Sequence, residues 1–160
     1  MESISEYLKI LEESLAKKVT ILQALLESSL RQSELAEAED FDFDAFQNTM
    51  DQKDALLAQL EELDQGFEQV FLGVQTELNG HKELHREEIH RMQQLIRKCT
   101  DLGVELQATE ERNKTKLAAV FAAQQREIRQ VKTSSKVAST YYKSMSGNKK
   151  TDSIFLDQKK

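Results

Sequence analysis

Apolar residues recur along this chain at steps of three and four, the spacing of one face of an α-helix. Ile4, Leu8, Leu11, Leu15, Val19, Leu22, Leu26 and Leu30 form a first stripe, with Ser3 or Ser5 placed to cap it and Glu6 in its first turn. The period is lost in AEAEDFDFD, Ala36 to Asp44, where the clustered Asp residues favour a turn followed by a new helix start. The first connection is therefore expected at 38–43, with Asp42 or Asp44 as the cap of a second helix. That helix carries Phe43, Phe46, Met50, Leu57, Leu60, Leu63, Phe67, Val70, Val74 and Leu78. The stripe is interrupted at Lys53, whose aliphatic stem can cover a seam while its charge reaches water. Gly66 and Gly73 weaken the end of this helix, and NGHKE, Asn79 to Glu83, is the next turn signal.

A third stripe of Ile89, Met92, Ile96, Cys99, Leu102 and Leu106 can fill the groove of the hairpin made by the first two helices. From Gln107 to Lys116 the helix can continue while its apolar stripe disappears. The stripe resumes with Leu117, Val120, Phe121, Ile128, Val131, Val137 and Tyr141. Two helices of roughly 35 residues, each about 50 Å long, followed by one of roughly 90 Å over 83–142, make the third helix much longer than the hairpin that could cover it. The pattern predicts an all-α fold: an elongated antiparallel three-helix bundle with a long third helix and a flexible C-terminal tail. It divides into a bundle body at 1–108, an amphipathic basic arm at 109–142 and a tail at 143–160.

Composition sharpens this picture. The 160 residues are 39% hydrophobic and 31% charged, with no proline, no tryptophan and 5 glycines. Such a chain is rich in helix formers and lean in core material. The N-terminus does not read as a secretory signal, and no run approaches the length and apolarity of a membrane span, so a cytoplasmic protein is expected. Cys99 is the only cysteine, which excludes an internal disulfide, and on a helical stripe it reads as a small buried thiol.

Charge is distributed unevenly. Residues 1–80 carry 18 acids and 5 bases, net −13, whereas 81–160 carry 10 acids and 17 bases, net +7, so the two halves attract each other. Over 112–160 the count is 12 bases against 3 acids, which raises the question of nucleic acid. That segment has no recognition motif, its Tyr141 and Tyr142 are adjacent instead of spaced as stacking platforms, and the acidic hairpin repels phosphate, so nucleic-acid binding is not expected.

The three histidines, His81, His85 and His90, lie in HKELHREEIH. His81 and His85 are one turn apart with Glu88 nearby, but the zinc-protease spacing is absent, and solvated histidines at a helix start are the simpler reading. No phosphate loop, nucleophile triad or Cys-x-x-Cys occurs. Neither a catalytic site nor a metal or cofactor site is expected, and the chain does not read as an enzyme.

What distinguishes the sequence is an amphipathic arm beyond a bundle that three helices already complete. An apolar face left open is what a protein needs to bind another amphipathic helix. Leu117, Val120, Phe121, Ile128 and Val131 are the candidate lining of such a groove. The tail adds Ile154, Phe155 and Leu156 beyond a Gly-Asn break, placed to cover the arm or to meet a partner.

A Leu-rich first helix, then FDFDAFQNTMDQKDALLAQLEELD, Phe41 to Asp64, then a long basic helix ending in STYYKSMSGNKKTDSIFLDQKK, resembles the FlgN-type flagellar export chaperones, particularly those of Gram-positive bacteria. The resemblance implies a small, all-helical cytoplasmic chaperone without ATPase activity. Such a chaperone holds hook-filament junction (hook-associated) proteins unassembled and delivers them to a component of the type III export gate. It also implies a client site toward the C-terminus, on the arm from Leu117 to Tyr142, with Tyr141, Tyr142 and the Ile154–Phe155–Leu156 triad available for gate docking or tail contact. The rival reading is a structural coiled-coil scaffold that dimerises through the same arm and has no client; a weak homodimer is compatible with either.

Overall fold

The first helix, α1 (Ile4–Glu37), starts on the first apolar residue of its stripe and runs for 34 residues. Ser5 lies in its first turn, and Ser3 lies outside the described residues. The helix stops where its apolar period stops, and the amide of Ala38 closes the last turn on the carbonyl of Leu35 at 3.4 Å. The second helix, α2 (Phe43–Gly80), is capped by Asp42, whose Oδ1 accepts the amide of Ala45 at 3.0 Å, and Asp44 adds negative charge to its first turn. It continues through Gly66 and Gly73 without a break, and a Cβ at either position would meet only open space. A short 3₁₀ turn (Lys82–His85) leads into α3 (Arg86–Val131), which spans 46 residues. The computed structural model describes residues 4–131 and the side chains of 4–126. Among these the protein is all-α, a bundle of three helices with a long third helix and no strand.

The described chain divides into two compact units, each taking a stretch of all three helices: 4–26 with 56–106, and 27–55 with the part of α3 from residue 107 onward. In the first unit, Leu8, Leu11 and Leu15 of α1 pack with Val74 and Leu78 of α2 and Met92 of α3, with Ile4, Tyr7, Phe67, Val70, Phe71, Ile89 and Leu95 partly buried around them. Arg91 Nε donates to Glu12 Oε1 at 2.7 Å, and the Lys18 ammonium meets Asp64 at 2.9 Å. These contacts fix the directions: α1 and α3 run parallel here, and α2 antiparallel to both.

Two positions depart from the expected stripes. Leu30 is 44% exposed, and the buried positions around it are Ser29 and Gln32. A helix of 3.6 residues per turn carries the core face from Leu22 through Leu25 and Leu26 to Ser29 and Gln32, so apolarity at residue 30 does not decide burial. Ile96 is likewise exposed, while Leu95 takes the place on the seam between Met92 and Cys99. His85, expected in solvent, is buried instead, with Nδ1 hydrogen-bonded to Glu88 Oε2 at 3.0 Å.

Cys99 is half-buried on α3. Burial pushes its thiol above the usual range, the nearby Lys18 ammonium opposes this, and the Asp64 carboxylate adds to it. A raised thiol pKa leaves less thiolate at a given pH. Alkylation of native protein at pH 8 is therefore expected to run several-fold slower than in urea, with its rate–pH midpoint displaced upward. Leu11→Ala should lower urea stability by about 2–5 kcal/mol. Ile96→Ala should change it by less than about 0.5 kcal/mol, which checks that Leu95 and not Ile96 faces the core.

Candidate protein-binding site

The second unit contains the part of α3 to which the resemblance assigned a partner. Asp42, by capping α2, places Phe46 one turn in, and Phe46 is completely buried. Phe41, Phe46 and Phe121 meet as a three-ring cluster with centroids 5.6–5.7 Å apart, Phe121 presenting near-perpendicular contacts to the other two. Edge-to-face rings of this kind add to the gain from burial. Leu35 of α1, Met50 of α2 and Leu117 of α3 complete the cluster, with Ala36 and Ala45 alongside.

Next to this apolar cluster lies a polar layer. Lys53 is only 2% exposed. Its ammonium pairs with Glu110 Oε1 and donates to Gln32 Oε1 at 3.1 Å. The Ser29 hydroxyl donates to the same oxygen of Glu110. Gln32 Nε2 donates to Thr49 Oγ1 at 2.9 Å, and the Thr49 hydroxyl passes its own hydrogen to the carbonyl of Phe46 at 2.6 Å. Asn113, 1% exposed, donates from Nδ2 to the carbonyl of Ser29 at 2.6 Å, while its Oδ1 is buried and meets no donor among the described residues. Nearer the α1–α2 turn, the Lys116 ammonium reaches Ser33 Oγ at 2.9 Å and pairs with Glu37. As in the first unit, the partners show α1 and α3 parallel and α2 antiparallel.

This geometry corrects one expectation. The Lys53 charge does not reach water: residue 53 falls on the core face of α2 three residues after Met50 and four before Leu57, and a carboxylate and an amide compensate for the lost hydration. Between 107 and 116 the helix continues and its apolar stripe disappears, as expected; Thr109 and Asn113, both buried, take its place, so the seam becomes polar without leaving the core.

The arrangement offers helix-packing surface. Among the described residues no three His, Cys, Asp or Glu side chains converge as a metal site needs, and no helix is long and apolar enough to cross a membrane. In comparisons with known proteins, the family model described as FlgN protein matches residues 1–149. The chain belongs to the FlgN family. No curated protein and no solved structure matches it. FlgN proteins are flagellar export chaperones, a family of binding proteins and not of enzymes.

Within this FlgN chain, the structure brings Leu117 and Phe121 together in one core, each 1% exposed. The face they belong to is not open at its start, as the pattern suggested, because residues 27–55 of the hairpin cover it. Val120 is half-buried beside them. Ile128 and Val131 lie on α3, with side chains outside the described ones, and Tyr141, Tyr142, Ile154, Phe155 and Leu156 lie outside the described residues altogether. Sequence reasoning placed Lys53 on the stripe but sent its charge to water, and it missed Glu110, Gln32 and Asn113. The available signal was their position at three- and four-residue steps on the apolar stripes, which their polarity masked.

Removing one member of a buried ion pair strands the other. Glu110→Leu should cost about 3–5 kcal/mol in urea unfolding through the unpaired Lys53 ammonium. The double variant Lys53→Met/Glu110→Leu should lose less than the sum of the two single changes, a coupling that a double-mutant cycle reads directly.

Proposed function

We propose that this FlgN protein is a cytoplasmic chaperone that binds amphipathic terminal helices of hook-filament junction proteins, keeps them unassembled, and delivers them to a component of the flagellar export gate. The match of the family model to 1–149 carries this reading. The client surface is the distal part of α3, the stripe through Leu117, Val120, Phe121, Ile128 and Val131, rooted in the core by Leu117 and Phe121. Tyr141, Tyr142 and the Ile154–Phe155–Leu156 triad serve gate docking or contact the arm.

The physical logic is that of a reversible binder. An unassembled subunit exposes apolar helix faces that would self-associate, and a chaperone must cover them and let them go. Ordering a partner's terminal segment offsets much of the gain from apolar burial, which keeps affinity moderate. The positive balance of 112–160 also suits a partner bearing acidic residues beside its apolar stripe.

The test is calorimetry and light scattering on the full chain with the terminal helices of a hook-filament junction protein from the same organism. One-to-one binding is expected. Ile128→Asp with Val131→Asp should weaken it by about tenfold or more while the helical signal persists. Undiminished binding would place the client elsewhere, and no binding would remove the chaperone reading. A chain stopped at Gln107 is unsuitable for this purpose, because it lacks Glu110, Leu117 and Phe121 and so strips the core from 27–55.

A further inference from the structure

Resting on that chaperone reading, we infer that a client helix takes the face of α3 from the start of α2, and that it must carry a lysine or arginine on its own apolar face. The face is occupied by a helix whose pattern can be read directly. Phe46, Met50 and Lys53 stand at i, i+4 and i+7 of α2 and meet Leu117, Phe121 and Glu110 of α3. The start of α2 is thus an internal stand-in for a partner: an amphipathic helix with two large apolar residues one turn apart and a cation one turn further on.

Any helix that replaces it confronts the same surface. Leu117 and Phe121 require apolar cover. Glu110 requires a cation, because its carboxylate is largely withdrawn from water and one oxygen already receives both Lys53 and the Ser29 hydroxyl. A client with an apolar residue at i+7 would strand that carboxylate, so the cation discriminates between helices of similar apolarity.

Replacement is feasible because the second unit buries many more polar groups than the first. In 4–26 with 56–106 the buried side chains are apolar, Leu8, Leu11, Leu15, Val74, Leu78 and Met92 among them, with His85 the one buried polar residue among those described. The second unit instead buries Ser29, Gln32, Thr49, Lys53 and Asn113 beside its aromatic cluster, and Asn113 Oδ1 has no donor among the described residues. Buried ion pairs contribute little beyond what apolar residues of the same volume would supply, so this unit opens at lower cost. The contact is then an intramolecular competitor that sets a threshold: the client's affinity is reduced by the closed fraction, and weak, unspecific apolar helices are refused.

The test is hydrogen exchange by mass spectrometry on the full chain, with and without saturating terminal helices of a hook-filament junction protein. In the unliganded chain, 43–55 and 107–126 are expected to exchange about tenfold or more faster than the core-facing turns of 4–26. The client should speed exchange over 43–55 and protect 107–126. Equal protection of the two units in the unliganded chain overturns the inference. Client binding with 43–55 unchanged overturns the replacement while the chaperone reading stands, and absence of binding overturns both. A second arm addresses the cation: the client's Lys or Arg at i+7 is replaced by Met and assayed against the natural chain and against Glu110→Gln. The loss should be about tenfold on the natural chain and no more than about twofold on Glu110→Gln. Equal losses on both overturn the required cation.

Discussion

The second unit depends on one interaction: the Lys53 ammonium, withdrawn from water and held by Glu110 and Gln32. A lysine at a core position of a helix is costly unless its charge is matched where it sits, and here the match comes from a different helix. That requirement draws α3 to one longitudinal position against the hairpin. Apolar contacts of Leu, Met and Phe tolerate a slip of one turn; a cation facing a single carboxylate does not. The polar layer therefore fixes register within the unit, as single buried polar residues do in coiled coils, and the three-phenylalanine cluster supplies the burial that stabilises it.

The first unit works differently. Its cluster is apolar from α1 to α3, and its ion pairs, Arg91 with Glu12 and Lys18 with Asp64, lie toward solvent. Pairs of that kind orient helices but stabilise them little. The same three helices thus provide one stretch held by apolar packing and another whose interior is partly polar. On the proposed reading the contrast is functional: a protein that must accept and release helices needs a body that persists and a surface whose internal contacts can be exchanged.

Much of the fold was legible because it follows from local rules. The turn at 38–42 and the Asp42 cap follow from the lost period and the aspartates; the break after Gly80 follows from the Asn-Gly pair. Leu8, Leu11, Leu15, Phe46, Met50, Val74 and Leu78 were identifiable as core from spacing alone. At the candidate site, Leu117 and Phe121 were read as part of an open face, and they pack instead against their own hairpin. Leu30 and Ile96 were misplaced because chemistry was followed where helical geometry led one position away, to Ser29 and Leu95.

By itself, the sequence determined that this protein is helical, where the turns on either side of the second helix fall, and which family it belongs to, since capping, periodicity and motif are properties of neighbouring residues. The tertiary structure alone decided which charges go inside. Lys53 and Glu110 are 57 residues apart, and nothing near either one reveals the other. Whether a lysine on an apolar stripe reaches for water or is buried depends on whether a distant helix brings a carboxylate to it, and that is settled only when the helices pack.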